Sequence, residues 1–127
     1  MSSLVLTLGP DHTLRDAARK MTEKGVGAAV VMDEETPGPR IISERDVLTS
    51  IGKGEDPDAE RVSAHMSDTV ITAAPDWSLE RAAVEMAKRH IRHLLVVEAG
   101  DMIGVLSMRD IVRCWTEEGA TSGMTPP

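Results

Sequence analysis

The sequence predicts an α/β (α+β) protein: two βαββα units packed as one pseudo-twofold domain. Three observations predict it: a segment that recurs along the chain, a helical apolar stripe at the same place in each copy, and a short continuous apolar run after each stripe. Pro10-Asp11-His12-Thr13-Leu14-Arg15-Asp16-Ala17-Ala18-Arg19-Lys20-Met21 lies over Pro75-Asp76-Trp77-Ser78-Leu79-Glu80-Arg81-Ala82-Ala83-Val84-Glu85-Met86. Ser43-Glu44-Arg45-Asp46-Val47-Leu48 lies over Ser107-Met108-Arg109-Asp110-Ile111-Val112, with a single-residue gap between the two matches.

The elements follow in chain order. Val5–Leu8 and Val70–Thr72 are the expected leading strands. Leu14, Ala17, Ala18 and Met21 recur at helical spacing, as do Leu79, Ala82, Ala83 and Met86, so each half carries one helix with an apolar face. Thr13 and Ser78 are the natural N-caps, and the first helix stops near Gly25. Ala28–Met32 and Leu94–Val97 are apolar without interruption, the pattern of a strand buried on both faces. Arg40–Ser43 and Met102–Leu106 are second strands, reached through turn residues in Glu35-Thr36-Pro37-Gly38-Pro39 and Ala99-Gly100-Asp101. A closing helix carries Val47, Leu48 and Ile51 in one half and Ile111, Val112 and Trp115 in the other.

A unit of about 50 residues buries too little apolar surface to stand alone, which is why the halves are expected to pack on each other. The boundaries read as unit one at 4–53, a linker dense in Gly, Pro and Asp at 54–63, unit two at 64–117, and a disordered tail at 118–127. The two apolar helix stripes, with their small Ala pairs, are expected to leave a face covered only by a second chain, giving a homodimer.

Composition removes several classes of function. The 127 residues carry a net charge of −7, which disfavours a broad nucleic-acid or anionic-membrane surface, since both need a basic face, and an anionic ligand must be held by a few local cations. Apolar residues make up 41 %, but Phe and Tyr are missing, so the core is Leu, Val, Ile, Ala and Met with Trp77 and Trp115 as the aromatics. A single cysteine, Cys114, excludes an internal disulfide, and no run approaches the roughly 18 apolar residues of a spanning helix. A soluble, cytoplasmic protein is expected.

Two motifs carry chemistry. Ser43-x-x-Asp46 and Ser107-x-x-Asp110 each stand where a strand runs into a helix, so a hydroxyl and the first helical N–H groups face a common point suited to a phosphate. The Asp one turn in can accept from the vicinal hydroxyls of a ribose. The same spacing also makes a plain capping box. Arg92 and His93 stand at the mouth of the inner strand of unit two, where Arg can clamp a phosphate and His can add a donor. Their counterparts in unit one, Gly27 and Ala28, offer only backbone. His65, His90, His93 and Cys114 have no recognised metal-ligand spacing, so no metal is expected. Gly25-Val26-Gly27 is a lone fragment, and there is no P-loop, no His-Glu-x-x-His and no Gly-x-Ser-x-Gly, so no catalytic residue is assigned.

Ile41-Ile42-Ser43-Glu44-Arg45-Asp46 and Gly104-Val105-Leu106-Ser107-Met108-Arg109-Asp110 resemble the strand-into-helix motif of the cystathionine-β-synthase (CBS) domain. Ala64-His65-Met66-Ser67 and Thr72-Ala73-Ala74-Pro75 resemble the lead-in to a second such domain, and Ile91-Arg92-His93-Leu94-Leu95-Val96-Val97 its inner strand. The chain departs from the pattern at Leu95, where Pro is common, at Arg40 or its neighbour, where Gly is usual, and in having no short helix with a Met before Val5. The resemblance to a tandem CBS pair, or Bateman module, implies a regulatory protein without catalytic activity. It implies an adenosine-containing ligand, AMP, ADP, ATP or S-adenosylmethionine, in an apolar slot between the strands of the units, and no required cofactor. Ser43, Arg45, Asp46, Thr72, Arg92, His93, Ser107, Arg109 and Asp110 are the expected contacts, and the signal would pass to a separate effector protein or through assembly. The alternatives are a ligand-free dimerisation module of the same fold and, more remotely, a small metal-dependent hydrolase.

Overall fold

A computed structural model describes residues 5–118, arranged as two compact units, Leu6–Val70 and the chain from Ile71 onward. In the first, β1 (Thr7–Leu8), α1 (Leu14–Lys24), β2 (Ala28–Asp33), β3 (Thr36–Ser43) and α2 (Glu44–Gly52) follow one another. The second repeats the series with β4 (Thr72–Ala73), α3 (Leu79–Arg89), β5 (His93–Glu98), β6 (Asp101–Ser107) and α4 (Met108–Glu118). Each unit has a three-stranded sheet, ordered β1-β2-β3 or β4-β5-β6. The first pair in each sheet is parallel and the second antiparallel. Parallel neighbours need a crossover, which α1 and α3 supply, whereas a tight turn joins the antiparallel pair. The expected tail falls, from residue 119, outside the described residues, as does the side chain of Trp115.

Local chemistry sets the helix ends. Thr13 Oγ1 accepts from the Asp16 N–H at 3.1 Å while Asp16 Oδ2 accepts from the Thr13 N–H at 3.2 Å, so α1 opens on a reciprocal capping box. That backbone N–H, followed by the threonine hydroxyl, holds the Asp16 carboxyl below the usual carboxylate range. Ser78 caps α3 through the Arg81 N–H at 3.1 Å. α1 ends where Gly25 turns left-handed at φ 67, which lets the Val26 N–H reach back to the Met21 carbonyl at 3.0 Å. The equivalent turn in α3 falls on His90 at φ 56, with Ile91 N–H on the Met86 carbonyl at 3.0 Å.

The structure corrects one expectation. The stripes Leu14/Ala17/Met21 and Leu79/Ala82/Met86 do not wait for a second chain: they are buried in the cores of their own units. Leu14 packs with Leu8, Ala29, Val31, Ile42, Val47 and Val62, and Leu79 with Ala73, Leu94, Val96, Leu106 and Ile111. Helical spacing identifies an apolar face but not what covers it. Among the described residues the large exposed apolar side chains lie elsewhere, at Met32 of β2, Leu48 and Ile51 of α2, Val84 of α3, and Met108 and Val112 of α4.

Residues after α2 return to the first unit. The Leu14 N–H donates to the Glu60 carbonyl at 3.0 Å, the Val62 N–H to the His12 carbonyl at 2.8 Å, and Ser67 and Ile41 exchange backbone bonds at 2.7 and 3.3 Å. Val62 itself is fully buried in that core. Arg15 forks onto Asp58, which holds the Asp58 carboxyl below its usual range, and Arg40 Nε meets Asp68 Oδ1 at 2.9 Å.

The two helix ends predict opposite responses. A Cβ at Gly25 would meet nothing within 4 Å, so any cost there comes from its left-handed φ alone. His90→Gly should raise stability by about 1 kcal/mol and Gly25→Ala should lower it by about the same amount. Urea denaturation measures both; an unchanged midpoint for His90→Gly would show that φ at this turn carries no strain.

Candidate functional site

Each antiparallel hairpin delivers its outer strand directly into a helix, and the Ser-x-x-Asp segments make that junction. Ser43 is extended at φ −119 and ψ 164, and the chain turns helical at the next residue. Asp46 Oδ2 accepts from the Ser43 N–H at 2.8 Å and from its hydroxyl at 3.1 Å, and the Asp46 N–H returns to Ser43 Oγ at 3.4 Å. In the second unit the Ser107 N–H donates to Asp110 Oδ2 and the Asp110 N–H to Ser107 Oγ, both at 3.0 Å. Both motifs are thus closed capping boxes. The boxes use Oδ2 of each aspartate; Oδ1 of Asp110 instead meets Arg113 Nη2 at 3.3 Å, on an arginine whose side chain is 61 % exposed.

Strand register assembles the rest. Ala28 pairs directly with Ser43 and His93 with Ser107, and paired residues on neighbouring strands project to the same face. The first amide of each helix closes on the residue just before the inner strand: Glu44 N–H on the Gly27 carbonyl at 2.9 Å, Met108 N–H on the Arg92 carbonyl at 2.8 Å. Gly27, Ala28, Ser43 and Asp46 therefore gather at one strand mouth, and Arg92, His93, Ser107 and Asp110 at the other. Arg92 is exposed and His93, Ser107 and Asp110 are half-buried. Thr72 is exposed on β4 and pairs with Leu95, two residues along β5 from His93. Arg45 and Arg109 are exposed on the first turn of α2 and α4.

The two mouths differ in charge. A Cβ at Gly27 would come within 3.2 Å of Glu44 Oε1, so the first mouth has an acidic side chain lying against the glycine where the second has Arg92. Met108 stands in the second unit where Glu44 stands in the first. Sequence reasoning missed both Glu44 and Arg113. Arg113 was open to detection, since it follows Asp110 by three residues on a helix, the spacing of a side-chain pair.

The repeated βαββα order and the repeated strand-to-helix box agree with one family model, the CBS domain, which matches residues 1–53 and again 60–117. The chain belongs to the CBS-domain family. A CBS domain-containing protein of Bacillus subtilis is 31 % identical over 127 residues, 98 % of this chain and 89 % of that one. An uncharacterised protein of Methanopyrus kandleri is 35 % identical over 111 residues, 86 % of this chain, and the chain spans 57 % of its length. Among solved structures, a CBS domain protein of Pyrobaculum aerophilum complexed with AMP superposes with a TM-score of 0.75 at 30 % identity, over 96 % of this chain and 95 % of that one. A hexameric CBS-CP12 protein from bloom-forming cyanobacteria gives a TM-score of 0.82 at 26 % identity, over 93 % of this chain and 67 % of that one. The chain is a CBS repeat, with two three-stranded sheets and four α-helices among the described residues. Among the described residues no helix is long and apolar enough to cross a membrane.

Proposed function

We propose that this CBS pair is a cytoplasmic regulatory module that binds an adenosine-containing ligand without catalysing a reaction, and that it signals through its own assembly or a separate effector protein. The observation that carries this reading is the gathering of Arg92, His93, Ser107 and Asp110 at one strand mouth. Phosphate oxygens would be met there by the guanidinium, the imidazole and the serine hydroxyl, with charge-assisted bonds the strongest of these. The ribose hydroxyls would donate to Asp110 Oδ1, displacing Arg113, whose exposed ion pair holds weakly. Such a ligand leaves Oδ2 in its capping box, so binding and capping coexist. The AMP complex of the similar Pyrobaculum protein supports an adenine nucleotide as the ligand class, and AMP, ADP, ATP and S-adenosylmethionine are the panel to test. The mouth at Ser43 and Asp46, which lacks the cations, would bind phosphorylated members of that panel more weakly.

Self-association is the second part of the proposal. Leu48 is 70 % exposed and Ile51 50 % on α2, and Val112 is 59 % exposed on α4. Repeated apolar exposure at equivalent helices of both halves fits a surface that a second copy covers, giving a homodimer. The hexamer formed by the similar cyanobacterial protein shows that proteins of this fold assemble.

Calorimetry with AMP tests the ligand. Asp110→Ala and Arg92→Ala should each weaken binding tenfold or more, the loss of a hydrogen bond to a charged group of about 1.5–3 kcal/mol. Asp110→Ala should cost only about 1 kcal/mol of stability, the value of a lost cap. A variant that melts early yet binds AMP like the parent protein would reduce the motif to a cap and leave a ligand-free interaction module of the same fold.

Light scattering tests the assembly. The protein should be a dimer at micromolar concentration, and Leu48→Glu with Val112→Glu should give a folded monomer. A parent protein that is already monomeric would contradict the assignment of these faces.

A further inference from the structure

Glu55, Glu60 and His65 follow one another at five-residue intervals, a spacing that matches neither a helix nor a strand. The fold nonetheless brings one ligating atom of each to within 4.8 Å of the others. Each donor is tied down by its backbone. The Glu55 N–H donates to the Ser50 carbonyl at 3.2 Å, the Glu60 N–H to the Asp56 carbonyl at 2.9 Å, and the His65 N–H to the Val62 carbonyl at 3.0 Å. Glu60 is fixed a second time by its carbonyl, which accepts from Leu14, and His65 closes a single 3-10 turn, Val62–Ala64, whose first residue is buried in the core. The side chains are also held. His65 Nε2 lies 2.7 Å from Glu60 Oε1, and their side chains are only 17 % and 30 % exposed. The hydroxyl of Ser50, a residue just 1 % exposed, donates to Glu55 Oε1 at 2.9 Å.

The contact between His65 Nε2 and Glu60 Oε1 leaves Glu55 aside, although its carboxylate is brought to the same point as a second acidic group. Two neighbouring carboxylates raise each other's energy unless a cation lies between them. The buried serine hydroxyl stands to Glu55 as the outer partners of metal ligands do, fixing the orientation of a first carboxylate oxygen.

We infer that Glu55, Glu60 and His65 bind a divalent transition-metal ion, with Ser50 positioning Glu55. One imidazole nitrogen with two carboxylate oxygens suits zinc better than magnesium or calcium, which take oxygen donors. Zinc holds such atoms at about 2.0–2.2 Å, hence roughly 3.4 Å from one another in a tetrahedron. Closure needs His65 and Glu60 to part slightly and Glu55 to swing inward, side-chain movements on a fixed backbone. The Nε2 lone pair must face the ion, so a proton on Nε2 moves to Nδ1, or leaves for solvent if the ring is charged. Water fills the fourth position. The bound ion would fasten the segment after α2 to the end of that helix, at a site built from residues other than those of the Ser-x-x-Asp motifs.

The test uses the full chain, freed of metal by chelator and titrated with zinc chloride in a calorimeter, with magnesium chloride as the comparison. The expected result is one zinc per chain, no matching uptake of magnesium, and a higher melting temperature with zinc. His65→Gln and Glu60→Gln should each weaken zinc binding more than about tenfold, and Ser50→Ala by about tenfold, the usual effect of removing an outer partner. His90→Asn, at an exposed histidine on the end of α3, should leave zinc binding unchanged. Glu55→Gln keeps an acceptor for Ser50 and so reports on binding even if the other variants unfold. Absence of zinc binding, or binding that survives both His65→Gln and Glu55→Gln, would overturn the inference.

Discussion

The reciprocal bonds between Ser43 and Asp46, repeated between Ser107 and Asp110, are the constraint on which the rest of this structure depends. A helix that starts at the last residue of a strand has orphan N–H groups at a point where the chain changes direction. The serine and the aspartate satisfy one such group each and so fix where α2 and α4 begin. With that start fixed, Val47 and Ile111 turn into the cores. The same start keeps the helix amide of Glu44 or Met108 on the carbonyl before the inner strand. The candidate ligand contacts are thus a by-product of a folding requirement, so the proposed binding role asks nothing of the motif that its cap does not already supply.

Much of this was legible in the sequence, for a stated reason in each case. Capping and apolar spacing are local, so Thr13, Ser78 and the helix stop at Gly25 could be read from a few neighbouring residues. The junction motifs were legible because they occur twice at equivalent points. What covers an apolar face is not local, and the stripes of α1 and α3 were accordingly assigned to a partner chain when they belong to their own cores. The meeting of Glu55, Glu60 and His65 was illegible for the same reason. It depends on Val62 entering the core of the first unit and on Ser50 being buried, and neither follows from the spacing of the three donors.

Duplication also explains why the halves are unequal. The core positions answer to the same packing demand in both copies, so Leu14 and Leu79, or Met21 and Met86, remain alike. The strand mouths face no such demand. Gly27 lies against the Glu44 side chain in one half, whereas Arg92 in the other is exposed and carries charge at no packing cost. In a chain of net charge −7, the exposed Arg92 sets a positive charge at the second mouth where the first has the acidic Glu44.

The claim at the centre of this account is that an adenosine ligand seats on the strand-to-helix junctions. The most direct measurement is a backbone amide NMR titration of the whole chain with AMP. The account predicts that the largest saturable shifts fall on His93, Ser107 and Asp110, with smaller ones on Ser43 and Asp46. Saturable shifts confined to residues away from both junctions, or none at all, would contradict it.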